Sequence, residues 1–253
     1  MNKDVVVETV AIPVEAGAPP MAAYLAKPAL GEPFAGCIVC PEIFGLTHHI
    51  REAAQRLARE GYAAIVPDFP HRTAPGVELG YDEEGRARGL ALLRQLRRPE
   101  VLEDIAATIR YFRDRSAAPV KIAVLGFSAG GHIAYLAATA FDVAAIVSLY
   151  GGWIATTDIP LSQPESTIAL TPLIAQRGAR VLYLVGGDDH LITQDQRDAI
   201  GRALQAAKAR HELVVYAGVK HGFLFDGRPA FDAAASADAW RRILALLAEE
   251  LAG

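Results

Sequence analysis

The chain has 253 residues, of which 52% are hydrophobic and 21% are charged, and its formal net charge is -4. This composition is sufficient for a large buried core and excludes a disordered chain. No basic cluster stands out, so binding to nucleic acid is not expected.

Neither a targeting segment nor a membrane-spanning helix is predicted. The apolar run Val5 to Val7 is followed by Glu8, which makes the run too short for a signal peptide. A spanning helix would need about 18 consecutive apolar residues, and no such run occurs. We therefore expect a cytoplasmic protein that does not bind membranes. Cys37 and Cys40 lie in one apolar, strand-like run, and we expect both to be buried rather than joined in a disulfide or bound to a metal.

Short apolar runs alternate with helical patterns along the whole chain. The first two runs predict an antiparallel hairpin at a sheet edge, and the later runs predict parallel strands. We predict strands over residues 5–12, 21–26, 36–40, 63–67, 121–125, 143–149, 180–185 and 211–216. Helices are predicted between Thr47 and Gly61, over residues 85–97, 133–140, 194–208 and 231–251, and from Pro99 through Phe112. This order predicts an α/β fold with a mostly parallel sheet, helices on both faces, and one domain over residues 1–253.

Two segments interrupt the alternation. Residues 73–98 mix glycine, proline and charge around one short helix, as in a short insertion that lies near a pocket. An insertion of this length fits small substrates better than a peptide channel. Residues 156–176 are predicted to be loop with at most a turn or two of helix.

The sequence Gly126-Phe127-Ser128-Ala129-Gly130 lies between a predicted strand and a predicted helix. Strand, sharp turn and helix are the context in which Gly-x-Ser-x-Gly forms a nucleophile elbow. The two glycines are needed because a Cβ at either place would collide with the neighbouring strand or helix. The helix N-terminus would favour a developing negative charge beside the serine. The alternative is an ordinary turn whose serine only caps the helix.

A serine nucleophile needs a base and an orienting acid, and the chain supplies both after later strands. Asp188 and Asp189 follow the seventh predicted strand, and His221 follows the eighth. Serine, aspartate, histidine is the chain order of α/β hydrolases. One of the two aspartates is expected to orient His221, and Asp188 is the better candidate for a solvated turn residue.

Other chemistries lack their motifs. A dehalogenase of this fold would need an aspartate at position 128, and the glycine spacing does not match a dinucleotide-binding loop. No H-E-x-x-H motif or cysteine cluster suggests zinc. We expect neither a metal nor an organic cofactor.

Five blocks of sequence carry a resemblance to a known family. They are residues 41–46 (PEIFGL), 66–68 (VPD), 126–131 (GFSAGG), 186–190 (GGDDH) and 221–223 (HGF). Together, from about residue 5 to the end, the chain resembles the dienelactone hydrolase (carboxymethylenebutenolidase) family. The resemblance implies an α/β-hydrolase fold and hydrolysis of a lactone or ester. It also implies a triad of Ser128, Asp189 and His221, with the backbone N–H groups of Ile43 and Ala129 as the oxyanion hole.

The chain departs from the family at two places. Well-known dienelactone hydrolases have a cysteine nucleophile, and this chain has Ser128. Glu42 matches a glutamate that contacts that cysteine, so here it is expected to bind substrate, hold a water or orient its loop. A family arginine that holds the substrate carboxylate corresponds to Phe225, with Arg228 further along the chain. Arg72 is the candidate to replace it, and the alternative for Arg72 is a solvated loop residue.

Further residues are candidates for the pocket. Phe44, Tyr81 and Trp153 are expected as walls and Phe225 as a substrate contact, with ordinary core packing as the alternative. One of His48 and His49 is expected near the Glu42 loop, with helix capping as the alternative.

The function predicted from these observations is hydrolysis of a small ester or lactone through a serine acyl-enzyme, by a monomer or homodimer. A peptidase or acyl transferase of the same fold is the second hypothesis, and a non-catalytic ligand-binding protein is the third.

Overall fold

The computed structural model describes residues 4–30, 35–116 and 119–252. Eight strands form one sheet in the order β1-β2-β4-β3-β5-β6-β7-β8. Their bounds are β1 Val5–Ile12, β2 Met21–Pro28, β3 Gly36–Cys40, β4 Ala63–Pro67, β5 Ile122–Phe127, β6 Ala145–Leu149, β7 Arg180–Gly186 and β8 His211–Tyr216. β1 and β2 are antiparallel, as is β2 with β4, and every other pair is parallel. The predicted edge hairpin and mostly parallel sheet are confirmed.

Seven helices connect and cover the strands. They are α1 His48–Glu60, α2 Glu83–Leu93, α3 Arg98–Arg113, α4 Ala129–Ala140, α5 Thr171–Arg177, α6 Gln194–Ala206 and α7 Ala233–Leu251. α3, α4, α5 and α6 contact one another in sequence, and α4 packs on β3, β5 and β6. α7 packs on β5, β6 and β7, where it meets α1 through Arg56, whose guanidinium lies 4.2 Å from the Trp240 ring. These two groups of helices lie on opposite faces of the sheet.

Several predicted bounds were wrong by a few residues. The segment predicted as mostly loop ends in α5, and β6 begins at Ala145 because Val143 is in a turn that bonds to Phe141. Thr47 is the N-cap residue of α1 as predicted, yet its side chain makes no capping bond and reaches Tyr81 instead.

The sheet interior is apolar, and β3, β4, β5 and β6 are buried along their full length. This explains why these strands read as continuous apolar runs, since parallel strands are covered on both faces. Cys37 and Cys40 are free and fully buried, as predicted, and burial raises the pKa of both thiols far above their ordinary range. Among the residues that the structure describes, no helix is long and apolar enough to cross a membrane.

The strand order reverses between β3 and β5, which places a crevice at their carboxyl ends. From β3 the chain passes to β4 on one side, and β5 then returns to pair with β3 on the other. Such a switch point is where α/β sheets bind ligands. The segments that follow β3, β5, β6, β7 and β8 all reach this edge.

The first turn of α4 tests how tightly this edge is packed. A Cβ on Gly130 would overlap the backbone carbonyl of Cys40, which cannot move aside, whereas a Cβ on Gly201 in α6 would only touch the Leu213 side chain at 3.5 Å. We expect Gly130→Ala to lower the free energy of unfolding by about 3 kcal/mol. Gly201→Ala, the matched helical control, should raise it by about 0.5–1 kcal/mol. Chemical denaturation measures both, and equal effects would contradict the close approach.

Candidate active site

The turn from β5 into α4 holds Ser128 in an unusual backbone conformation. Its φ is 55° and its ψ is -117°, a region that residues with a side chain rarely occupy. The turn is fixed by a bond from the Ser128 N–H to the Leu149 carbonyl (2.9 Å) and one from the Gly131 N–H to the Ser128 carbonyl (2.9 Å). Such strain is expected where surrounding structure holds a functional side chain in place.

The side chains of Ser128, His221 and Asp189 form one hydrogen-bonded row. His221 Nε2 lies 3.0 Å from Ser128 Oγ, and His221 Nδ1 lies 2.8 Å from Asp189 Oδ2. A carboxylate can only accept, so Nδ1 carries the hydrogen and Nε2 of the neutral ring accepts from the serine hydroxyl. All three side chains are largely buried.

The two loops that carry Asp189 and His221 are tied to each other. The Asp188 N–H donates to the Val219 carbonyl at 3.0 Å, and the Gly187 N–H donates to the Tyr216 carbonyl. Asp189 is 6% exposed, and its Oδ1 accepts from the N–H groups of Leu191 (2.8 Å) and Ile192 (3.2 Å). Asp188 is exposed and is not hydrogen-bonded to His221. The structure thus separates the two aspartates that the sequence left as alternatives.

The loop after β3 brings Ile43 close to the start of α4. Gly130 in the first turn of α4 packs against Cys40 and Pro41, immediately before Glu42 and Ile43. On its other side Ile43 is covered by α2, where a Cβ on Gly89 would lie 2.6 Å from the Ile43 carbonyl oxygen. Ala129 begins α4, so its N–H has no acceptor within the helix. Within the described chain, no acceptor bonds the Ile43 N–H either.

Glu42 is paired with a residue that the sequence did not assign. Arg228 Nη1 donates to both Glu42 carboxylate oxygens, at 2.9 and 2.8 Å. The guanidinium also lies 4.3 Å from the ring centre of Tyr81 and 5.7 Å from that of Phe44. Burial alone would lower the pKa of Arg228, but the Glu42 carboxylate outweighs burial and raises it above its ordinary value. Both groups of this pair are therefore charged.

Arg72 does not reach this site, which corrects its expected role as a carboxylate clamp. Its guanidinium donates to both oxygens of the fully buried Asp104 (2.9 and 3.0 Å) and to Glu15 (3.0 Å). With Glu15 and Asp68 it lines a separate cleft of about 660 Å³ that includes no triad residue. Burial raises the pKa of Asp104 to about 6 even though Arg72 and His71 oppose the shift.

The aromatic candidates have different places. Phe44 meets Tyr81 edge-on with ring centres 4.7 Å apart, beside Arg228. Phe225 is only 6% exposed, stacks on His49 and contacts Phe127, so it packs in the core behind the site. Trp153 is half-buried and has a φ of 58°.

Tyr150 is the residue at the site that sequence reasoning missed. It directly follows β6, has a φ of 41°, and its ring meets the His221 imidazole edge-on at 4.9 Å. The side chain is fully buried, and its hydroxyl has no hydrogen-bond partner among the described residues. Burial, and next to it the charge of Glu42, raises the pKa of Tyr150 well above its ordinary value, so the hydroxyl stays neutral. Its only sequence signal is its place at a strand's carboxyl end.

His132, at the start of α4, lies behind the elbow and bonds the Thr167 hydroxyl at 2.7 Å. Burial lowers the pKa of His132 to about 3. Across the described ranges, no group of three or more His, Cys, Asp or Glu side chains could hold a metal ion.

Comparisons with known proteins agree over nearly the whole chain. The profile of the "Dienelactone hydrolase family" matches residues 21–251. A Synechocystis protein named "Putative carboxymethylenebutenolidase" is 36% identical over 233 residues, which cover 91% of this chain and 92% of the relative. "Carboxymethylenebutenolidase 1" of Cupriavidus pinatubonensis is 31% identical over 228 residues, or 89% and 90% of the two chains. A crystal structure from Klebsiella pneumoniae, "Putative Dienelactone Hydrolase", has a TM-score of 0.85 and 29% identity, and covers 97% of this chain and 99% of its own.

The Tyr150 hydroxyl leads to a stability prediction. A buried donor without a partner is destabilising, so Tyr150→Phe should raise the free energy of unfolding by about 1 kcal/mol. Tyr135→Phe is the matched control, because Tyr135 is equally buried and its hydroxyl bonds Thr171 at 2.7 Å. That variant should lose about 1 kcal/mol. Urea denaturation compares the two, and a loss of stability in Tyr150→Phe would show that its hydroxyl is satisfied.

Proposed function

The chain belongs to the dienelactone hydrolase family, and from this premise we propose that it hydrolyses small carboxylic esters or lactones with Ser128 as nucleophile. The observation that carries the proposal is the row of Asp189, His221 and Ser128, with both hydrogen bonds at 2.8–3.0 Å. A protein kept only for ligand binding would not need all three groups in this order. The α/β-hydrolase fold is common to hydrolases of many substrates, so the proposal rests on the site.

In the first half-reaction the Ser128 oxygen attacks the carbonyl carbon of the substrate. Its proton passes to His221 Nε2, and Asp189 stabilises the imidazolium that forms. The N–H groups of Ile43 and Ala129 are the donors to the oxyanion, where a removed donor costs about 3 kcal/mol of transition-state stabilisation. The C–O bond to the leaving group then breaks, and the proton on His221 goes to the departing oxygen. With a lactone, the leaving oxygen stays attached to the acyl chain.

In the second half-reaction water repeats these steps. His221 Nε2 takes a proton from the water, the hydroxide attacks the acyl carbon, and the proton returns to Ser128 as the acid departs. Unlike a thiolate prepared by a nearby charge, a serine hydroxyl needs this base. The buried ion pair to Arg228 supports a different task for Glu42 than preparing the nucleophile.

We further propose that Arg228 binds an anionic group of the substrate. Only its Nη1 is used by Glu42, and the described residues offer no hydrogen-bond acceptor to Nε or Nη2. A guanidinium with free N–H groups suits a carboxylate, which it can bind through two bonds. Arg228 thus takes the role that the sequence suggested for Arg72.

The adjacent aspartates provide a matched test of the triad. Asp189→Asn should lower kcat about 10⁴-fold, because the amide no longer fixes the His221 tautomer. Asp188→Asn should stay within twofold of wild type, since Asp188 is exposed. Ser128→Ala should lose activity at least as fully as Asp189→Asn and should no longer be labelled by a phosphonate probe. The assay is steady-state hydrolysis of an aryl acetate and a dienelactone, and a Ser128→Ala protein as active as wild type would refute the mechanism.

Arg228→Lys tests the anion site while keeping a positive charge beside Glu42. Lysine cannot offer a second arm to a carboxylate. For an ester whose acyl chain ends in a carboxylate, KM should rise about tenfold, which corresponds to about 1.4 kcal/mol of binding. For an ester of equal length that ends in a methyl group, the rise should be much smaller. Equal changes for the two esters would contradict the assignment of Arg228.

A further inference from the structure

Tyr81 lies against the face of the Arg228 guanidinium, at 4.3 Å, and comes from the short segment before α2. Its hydroxyl lies 2.9 Å from the Thr47 hydroxyl oxygen and 3.0 Å from His49 Nδ1. The other ring nitrogen of His49, Nε2, lies 2.9 Å from the carbonyl oxygen of Asp226. Tyr81 is therefore held both below Arg228 and within a chain of hydrogen bonds.

The direction of every hydrogen bond in this chain can be assigned. The Asp226 carbonyl can only accept, so His49 Nε2 carries the hydrogen, and Nδ1 of the neutral ring accepts from the Tyr81 hydroxyl. The Tyr81 oxygen in turn accepts from Thr47. His49 is only 6% exposed, and burial, with smaller contributions from the charges of His48 and Arg228, lowers its pKa below the ordinary value. The neutral form and its bonding pattern are therefore maintained at neutral pH.

This network connects three distant parts of the sequence around one guanidinium. Thr47 and His49 belong to the start of α1, Tyr81 to the segment before α2, and Asp226 to the loop that follows His221. Asp226 stands two residues before Arg228, so the bond from His49 fixes the backbone from which the Arg228 side chain extends. The Tyr81 ring then limits the guanidinium from one face, and Glu42 holds it from one end.

We propose that Tyr81 and His49 are positioning residues that set the affinity for anionic substrates by fixing the orientation of Arg228. They touch neither Ser128 nor the reacting carbonyl. The proposal rests on the proposed role of Arg228 as the anion-binding group. A purely structural role would change the hydrolysis of all substrates alike, whereas positioning of Arg228 changes the hydrolysis of anionic ones more.

The test compares Tyr81→Phe, which keeps the ring and removes two hydrogen bonds, with Tyr81→Leu, which also removes the ring. The substrates are two aryl esters of equal acyl length, one ending in a carboxylate and one in a methyl group. We expect Tyr81→Leu to raise KM for the anionic ester about tenfold and Tyr81→Phe about threefold. In both variants the change should be several times larger for the anionic ester than for the neutral one, with kcat less affected than KM.

Two controls separate this role from general damage. Tyr111 in α3 also stacks with an arginine, Arg115, at 3.8 Å, but away from the triad, so Tyr111→Leu should leave both esters unchanged. In an Arg228→Lys background, Tyr81→Leu should add little to the KM for the anionic ester, because the group it positions is gone. Equal effects on both esters, or additive effects in the double variant, would overturn the proposal.

A binding measurement keeps the proposal testable even if no ester is hydrolysed. In the Ser128→Ala protein, glutarate at 10 mM should raise Tm, since a ligand that binds the native state stabilises it. Tyr81→Leu and Arg228→Lys should reduce that rise, and Tyr111→Leu should not. An equal rise in all of these proteins would refute the positioning role, whereas loss of hydrolysis alone would refute the proposed reaction.

Discussion

The active site depends on how closely the first turn of α4 approaches the neighbouring backbone. Gly126 meets the carbonyl of Gly130, and Gly130 meets the carbonyls of Cys40 and Pro41, so there is no room for a Cβ at either position. This contact forces Ser128 into its positive-φ conformation and, at the same time, brings the end of β3 next to the start of α4. The serine hydroxyl and the two expected oxyanion donors are therefore placed by a single steric constraint, which the buried strands on both sides keep rigid.

The ion pair between Glu42 and Arg228 fixes the other side of the site. It joins the loop after β3 to the loop after β8, across 186 positions of sequence. Removing one partner of such a buried pair typically costs 3–5 kcal/mol, because the other charge remains buried and unpaired. The pair therefore holds in one arrangement the loop that carries Ile43 and the loop that carries His221. The same arginine retains N–H groups for a ligand, so one residue serves both structure and recognition.

The chemistry of the triad was predictable from the sequence because each member follows a strand, and parallel strands bring their carboxyl ends to one edge. The basic residue was not, since the partner of an arginine depends on tertiary contacts. Arg72 had a suitable place in the chain, but Asp104 takes its guanidinium. A signal was present: Asp104 lies on the buried face of α3, between Val101 and Thr108, where a carboxylate requires a cationic partner. Arg228 and Tyr150 had no comparable signal, because neither a turn geometry nor the absence of a bond is written in residue type.

Several features at this edge reduce stability rather than increase it. Of the four non-glycine residues with positive φ among those described, Ser128, Tyr150 and Trp153 follow β5 or β6 at this edge of the sheet. Each conformation of this kind costs on the order of 1–3 kcal/mol, and the unpartnered Tyr150 hydroxyl adds a similar cost. A fold of marginal stability retains such costs only where the rest of the structure offsets them, here through a sheet buried on both faces. Because Tyr150 contacts His221, the strain and the unpartnered hydroxyl lie beside the proposed base, and function is the property that would favour keeping them.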